Sequence, residues 1–512
     1  MKNNKQLSIN LIAQTVAFFV NFGINFFLTP YIVEEVGLEA YGFVSLGNNF
    51  VNYAYLLSIA LNSMASRFIT ICIHQDNYKE ARQYYTSVIL SNVILAVLLS
   101  VPSIYIVMNL KSIVFISNDI YYDVQCLWAL LFFNFLMDIV TSTFGVALFA
   151  SNRIDIQARR DIFSYIIKAS ILVVVYLIFP AKVWYIGFGS VVSTIFIAFY
   201  NIKKRKKLMP DLRVESNSFC FGKVKELFSS GIWNSISRVG SIALTELDLL
   251  LSNLFVSSEA MGTLSVAKMV PGYVSNLVST IITAFMPQLT ISYATDDSKE
   301  FIKNIKSYMR LILFFQSVLY GGLFGFGDVF FKLWLPEGTR DIQYIYLLSM
   351  ISISGCFVSS VSYIMTNIFT VTNKLRFSSV VVIGTGFVSF GLTYIVLKTT
   401  DLGLIAIAGV SVILVVLRNV VLFLPYGAKC VGAPWYTFFP DLLLNIADVI
   451  VAIIICIFLK KILIIKYTWI NFFIVAVIAA TVVLIINFFV ILRKEERYYF
   501  ISAVQRKFER RR

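Results

Sequence analysis

The sequence predicts an all-α integral membrane protein of about 14 transmembrane helices: two parallel six-helix lobes, then two further helices. Three observations carry this. The 512 residues are 58% apolar and 14% charged, with mean hydropathy +0.81, far from soluble composition. Apolar stretches of roughly 20 residues, the length that crosses a hydrocarbon core, follow one another along the whole chain. Finally, residues 36–80 recur at 256–300 with a constant offset of 220. Glu39-Ala40-Tyr41-Gly42-Phe43-Val44-Ser45 is echoed by Glu259-Ala260-Met261-Gly262-Thr263-Leu264-Ser265, and Tyr53/Tyr273, Leu57/Leu277, Thr70/Thr290, Ile71/Ile291 and Asp76/Asp296 keep the register. In all, 12 of 45 gap-free positions are identical, against roughly three expected by chance in so apolar a chain.

The elements follow in order. Met1-Lys2-Asn3-Asn4-Lys5 leads into a first span near 7–31, which carries Asn10, Gln14, Asn21 and Asn25 and is too long and polar for a cleaved signal peptide. Spans near 41–68, 84–108, 121–149, 160–179 and 181–202 complete an N-terminal lobe, 1–202. A basic linker, 203–226, punctuated by Pro210, Ser216 and Gly222, leads to the C-terminal lobe, 227–425. That lobe holds spans near 227–255, 260–291, 304–326, 341–369, 376–398 and 401–424. Residues 426–492 add two helices without repeat-mates, and 493–512 form a basic tail.

Charge orients these spans. Most of the 43 Lys and Arg fall on one side, in Lys203-Lys204-Arg205-Lys206-Lys207, Arg159-Arg160, Lys299/Lys303/Lys306/Arg310 and the tail. The positive-inside rule therefore places both termini in the cytoplasm. The net charge of +15 is explained by contacts with anionic membrane lipids, without nucleic acid. Six helices per lobe is an even number, so the repeat is parallel, with its axis along the membrane normal.

Several chemistries are excluded. The six cysteines show no CxxC spacing and read as packing residues, and His74 is the single histidine. No metal centre, Ser-His triad, acid/base pair or nucleotide loop is visible, so no catalytic or metal-ligating residue is assigned and the enzyme class is set aside. No cofactor is expected beyond a proton or sodium ion as coupling partner.

Polar residues instead line helix faces. The seventh span carries Asn234, Arg238, Ser241, Thr245, Asp248 and Ser252 at spacings of 4, 3, 4, 3 and 4. The offset maps Gln14, Asn21 and Asn25 of the first span onto Asn234, Ser241 and Thr245. The eighth span shows Ser265, Lys268, Gly272, Ser275 and Ser279, and its counterpart Ser45, Asn48, Asn52, Tyr55, Asn62 and Ser66. Lipid satisfies none of these groups. Interhelical hydrogen-bond glue is one reading of a single stripe; four related stripes favour a hydrated cavity between the lobes.

Arg238, about 13 Å inside the span, suits a phosphate or pyrophosphate, or else an acid on another helix. Lys268 and Asp248 lie at similar depth and read as a latch or a structural pair. Glu246 beside the stripe is a candidate proton carrier. Asp138 and Lys168 read as a structural ion pair, with Arg67 at the inner end of the second span. Pro271-Gly272 interrupts the eighth span as a candidate hinge. Gly321 and Gly325 form a GxxxG packing motif.

Fourteen helices in a 6+6+2 arrangement, with Pro30-Tyr31-x-x-Glu34-x-x-Gly37-x-x-x-Tyr41-Gly42, resemble the polysaccharide transporters of the multidrug/oligosaccharidyl-lipid/polysaccharide exporter superfamily, the O-antigen and capsule repeat-unit flippases (Wzx type) in particular. The resemblance spans nearly the whole chain. It implies translocation of an undecaprenyl-pyrophosphate-linked oligosaccharide across a bacterial cytoplasmic membrane by alternating access, through a central cavity lined by cations. Arg238 and Lys268, then Arg67 and Lys168, are the positions that suit such a headgroup. Asn21, Asn25, Asn48, Asn52, Asn234, Ser241 and Thr245 line its path, and Asp248, Glu246 and Asp138 supply coupling or a latch. A polysaccharide polymerase and glycosyltransferases are the implied partners. The alternative is a cation-coupled multidrug exporter of the same superfamily, whose coupling rests on acidic residues.

Overall fold

The structure, a computed structural model, describes residues 2–283, 289, 293, 298–339, 341–372, 374–463 and 467–498. Among the described residues there are helices and turns and no strands. Among the described residues ten helices are long and apolar enough to cross a membrane, and the chain is a multi-pass membrane protein. The repeat-mates Thr290, Ile291 and Asp296 and the tail beyond Tyr498 lie outside the described residues.

The first two expected spans form one element, α1 (Lys2–His74), broken only at Gly37 with φ 86°. The sequence places the end of the first span near residue 31 and a loop over Glu34-Glu35, yet the helix runs through both acids. What breaks it is a residue without a Cβ, the one type that enters this backbone region freely. The repeat-mate of Gly37 is Ser257, and there too the chain turns, between Phe255 and Ser258. Next come α2 (Tyr78–Met108), α3 (Tyr121–Ser142), α4 (Ile154–Ile178) and α5 (Tyr185–Leu208). Asn77 caps α2, accepting from the Glu80 N–H at 3.2 Å and donating to the Glu80 carboxylate at 2.8 Å.

The basic cluster continues α5 as helix to Leu208, and the remaining linker is strapped onto α2. Leu212 is buried. Thr86 Oγ1 accepts from the Glu215 N–H at 3.3 Å, Ser87 Oγ accepts from the Cys220 N–H at 2.9 Å, and Arg82 pairs with Glu215 at 3.0 Å. A hydrogen bond from Arg213 holds the Glu215 carboxyl below its usual range. Beyond it run α6 (Phe221–Thr245), α7 (Asp248–Phe255) and α8 (Ser258–Thr283). The expected seventh span is thus two helices, parted at Glu246-Leu247.

Two compact units emerge, Met1–Ser265 and Val266–Arg512. Helices α6 and α7, drawn from sequence as the start of the second lobe, therefore pack with the first unit. Glycines explain why. A Cβ on Gly231 of α6 would lie 1.9 Å from the Ala60 carbonyl oxygen of α1, and one on Gly262 would lie 2.3 Å from the Leu38 carbonyl oxygen. Gly42 and Gly262, partners in the repeat, face each other: a Cβ on Gly42 would come within 2.7 Å of the Gly262 Cα. We expect Gly231→Ala to lower the melting temperature of the purified protein, since overpacking costs roughly 1–3 kcal/mol. Helix propensity alone acts in the opposite direction, favouring Ala by about 1 kcal/mol, so the sign of the shift reports the contact.

The second unit is organised on α9 (Ser298–Trp334). After it come α10 (Ile342–Ser354), α11 (Cys356–Val371), α12 (Leu375–Thr399), α13 (Leu404–Leu417), α14 (Leu424–Cys430), α15 (Phe439–Leu463) and α16 (Trp469–Val490). The GxxxG motif packs as expected: Cβ atoms on Gly321 and Gly325 would lie 2.8 and 2.4 Å from the Cβ atoms of Ala452 and Cys456 in α15.

Candidate functional site

A cavity of about 380 Å³ opens inside the first unit, between both halves of α1 and helices α3, α4 and α5. Helical spacing builds its walls. Asn21, Asn25 and Thr29, four residues apart, come from the first half of α1, and Tyr41, Ser45 and Asn48, four and three apart, from the second. Asn134 projects from α3; Ser164, Tyr165 and Lys168 from α4; Ser190, Ser193 and Thr194 from α5. The volume falls at the lower end of small-molecule sites.

Much of the lining is tied to its own wall. Asn25 Nδ2 donates to the Asn21 carbonyl at 2.8 Å and to Asn21 Oδ1 at 2.9 Å. Asn48 Nδ2 donates to the Val44 carbonyl at 2.8 Å, and the Thr29 and Tyr41 hydroxyls lie 3.3 Å apart. Ser164 and Ser193 join α4 to α5 at 2.5 Å. Two lining groups stand apart from these ties. Among the described residues no carboxylate lines the cavity and none pairs with Lys168. Asn134 Oδ1 is buried with no donor.

The cavity thus gathers Asn21, Asn25, Asn48 and Lys168 from the expected site residues. The expected pairing of Lys168 with Asp138 is not formed. Asp138 instead accepts a hydrogen bond from the Tyr55 hydroxyl, whose ring packs edge-on against Phe135 at 4.7 Å. A nearer phenol has displaced the ammonium as partner. Asn52 is half-buried outside the cavity lining, and Arg67 is exposed.

Arg238 carries a second correction. The sequence shows no acid within one turn of it, but the chain ends α6 at Glu246, whose carboxylate pairs with the guanidinium at 2.5 Å. Glu246 is therefore neither a lone carboxylate nor Arg238 a lone cation. The Glu246 carbonyl accepts from Asn49 Nδ2 and from the Tyr53 hydroxyl, each at 2.8 Å. Ser241 and Thr245 donate back to their own helix, to the Ser237 and Ser241 carbonyls at 3.1 and 2.9 Å. The Asn234 side chain lies outside the described ones. Asp248 is buried at the start of α7, and Lys268 is half-buried on α8 in the second unit. Helix α8 continues through Pro271 and Gly272, with open space around Gly272.

Sequence reading missed Tyr41, Asn134, Tyr165, Ser190, Ser193 and Thr194 as lining residues. The Ser190/Ser193/Thr194 stripe was visible at helical spacing. Among the described residues no group of three or more His, Cys, Asp or Glu is placed to hold a metal ion.

Comparison with known proteins gives this geometry a context. Residues 7–292 match the family described as "Polysaccharide biosynthesis protein". The chain is 24% identical over 455 residues to "Uncharacterized membrane protein EpsK" of Bacillus subtilis, covering 88% of this chain and 89% of that one. It is 24% identical over 318 residues to the "Putative O-antigen transporter" of Shigella flexneri, covering 60% and 72%. Among solved structures, the lipid II flippase MurJ in an inward closed conformation superposes with TM-score 0.65 at 14% identity, covering 93% of this chain and 97% of that one. An inward-facing multidrug-resistance MATE transporter reaches the same TM-score at 15% identity, covering 83% and 97%.

Proposed function

The chain belongs to the polysaccharide biosynthesis protein family, and on that footing we propose that it is a flippase for lipid-linked polysaccharide repeat units. It is a transport protein rather than an enzyme. In this reading the cargo is an undecaprenyl-pyrophosphate-linked oligosaccharide, moved to the outer leaflet of a bacterial cytoplasmic membrane by alternating access, with both termini inside. A saccharide headgroup cannot enter hydrocarbon without partners, because buried polar groups and charges left unpaired carry large penalties. A cation with amide and hydroxyl groups replaces its hydration; Lys168, Arg238, Lys268 and Arg67 are the candidate cations.

One observation carries the reading: the cavity in the first unit is lined by a lysine and by amides and hydroxyls, with no carboxylate among the described residues of its lining. That lining favours an anionic or neutral saccharide and repels the cations typical of multidrug export.

The test is reconstitution. The full chain in proteoliposomes with a fluorescent undecaprenyl-pyrophosphate oligosaccharide is expected to raise its transfer between leaflets at least tenfold over protein-free vesicles, read by exposure to an impermeant quencher. Cationic dye loaded into the same vesicles should be retained. Dye efflux without saccharide transfer would replace this function with the drug exporter.

A further inference from the structure

Two groups in the cavity of the first unit, an amine with no carboxylate partner and a buried carbonyl oxygen with no donor, point to a ligand; the Ser45, Tyr165 and Thr194 hydroxyls line the same space. As an ammonium, Lys168 brings three donors and a positive charge, and no carboxylate among the described residues meets it. Asn134, on the facing helix α3, brings a buried carbonyl oxygen with no donor. A ligand that satisfies both supplies a negative charge and a hydroxyl donor within one small molecule.

Four ligand chemistries can be compared. An ionised pyrophosphate supplies acceptors for Lys168 but no donor for Asn134 Oδ1. A cationic amphiphile supplies donors but brings a like charge to Lys168. A neutral sugar answers Asn134 through a hydroxyl and leaves the ammonium without a counter-charge. A sugar bearing a carboxylate answers both. The space agrees, since about 380 Å³ holds a small ligand rather than a whole lipid-linked repeat unit. Gly189 of α5 leaves the Lys168 stem room: a Cβ there would already touch Lys168 Cγ at 3.4 Å.

Resting on the flippase reading, we propose that the Lys168–Asn134 cavity is a subsite for an acidic sugar, a pyranose carrying one carboxylate, within the transported saccharide. The subsite is separate from whichever cations hold the pyrophosphate. It sets a preference for repeat units that contain a uronic acid or an equivalent carboxylated sugar.

Saturation-transfer NMR on the full chain in nanodiscs tests this with sodium glucuronate, glucose and sodium pyrophosphate as probes. Glucuronate is expected to give at least a fivefold stronger signal than glucose, and pyrophosphate to leave that signal in place. Lys168→Gln should reduce the glucuronate signal to the glucose level, while Lys168→Arg, which keeps the charge, retains the preference. Asn134→Leu should weaken both sugars together. Lys182→Gln removes a cation that pairs with Asp123 at 3.1 Å outside the cavity and should change nothing. Equal signals for glucuronate and glucose, an unchanged glucuronate signal in Lys168→Gln, or displacement by pyrophosphate would overturn the subsite. The proteoliposome assay separates the two ideas. Saccharide transfer without uronate preference defeats the subsite alone; uronate preference without transfer of any lipid-linked saccharide defeats the flippase reading.

Discussion

Replacing Arg310 with Met is expected to lower the stability of the protein by about 3–5 kcal/mol, the typical loss when one member of a buried ion pair is removed. Arg310 sits on α9 with its side chain 6% exposed. Its guanidinium donates to Glu496 at 3.0 Å through Nη2 and at 3.2 Å through Nε, and lies 3.6 Å from Asp441 of α15. Ser307 Oγ and the Arg493 N–H also donate to Glu496, at 2.6 and 2.9 Å. One side chain therefore ties α9 to α15 and to the segment after α16; its loss leaves Glu496 without a cation, while Lys306 stays 3.6 Å from Asp441. Thermal unfolding of the detergent-solubilised protein measures the effect. The double variant Arg310→Met/Glu496→Gln should lose less than Arg310→Met alone, which is the signature of a stranded charge.

The pH dependence has a definite sign. Burial pushes the Glu496 carboxyl up, but its bonds from Arg310, Ser307 and the Arg493 N–H outweigh that and hold it below the ordinary range. A depressed carboxyl contributes stability above its unfolded pKa of about 4.3 and loses that contribution as pH falls through the folded value. The wild type should therefore show this loss only in acid below about pH 4, near or under that unfolded value. In Arg310→Met the carboxyl titrates higher, and the share of the contribution that comes from Arg310 is missing at neutral pH as well.

How much of this was legible in the sequence differs by level. Membrane class follows from composition and span length, which depend on no contact. The break at Gly37 and the matching turn at Ser257 were implicit in the 220-residue offset, because a repeat conserves where a chain turns. The partition of α6 and α7 was not legible. It rests on Gly231 and Gly262 meeting carbonyls of α1, and a glycine in sequence does not say which backbone it approaches. The ion pairs failed for a related reason. Arg310 reads from sequence as one more positive charge beside a span, and Arg238 as holding a phosphate or an acid on another helix, because their partners Glu496 and Glu246 lie 186 and 8 residues away and are found only by folding. Lys168 was paired by depth with Asp138, but depth leaves rotation about the helix axis undetermined, and Tyr55 holds that carboxylate. The cavity was half legible: Asn21, Asn25 and Asn48 came from the repeated stripe. Asn134 and the α5 hydroxyls lie on helices the clear repeat does not reach.

Arg238→Gln and Glu246→Gln should move saccharide binding in opposite directions. The carboxylate of Glu246 meets Arg238 through one oxygen at 2.5 Å, while its other oxygen, Oε2, is buried and unpartnered. Arg238 thus makes a single contact where its planar fork is built for two, and its side chain is 37% exposed. A pyrophosphate, with more charge and more acceptor oxygens than one carboxylate, is the stronger partner for the exposed part of that fork. The position of Glu246 is meanwhile fixed independently by Asn49 and Tyr53, which hold its carbonyl at 2.8 Å. On the flippase reading, Arg238→Gln raises the half-saturating concentration of undecaprenyl-pyrophosphate oligosaccharide at least tenfold in proteoliposomes. Glu246→Gln removes the competitor, so half-saturation falls; the rate at saturation also falls, because a headgroup held without competition leaves slowly. A purely structural pair gives a different pattern. Both single variants then lose thermal stability with unchanged half-saturation, and the double variant Arg238→Gln/Glu246→Gln recovers part of the loss. The direction of the half-saturation shift in Glu246→Gln decides between them, since removing a structural partner gives no route to tighter binding.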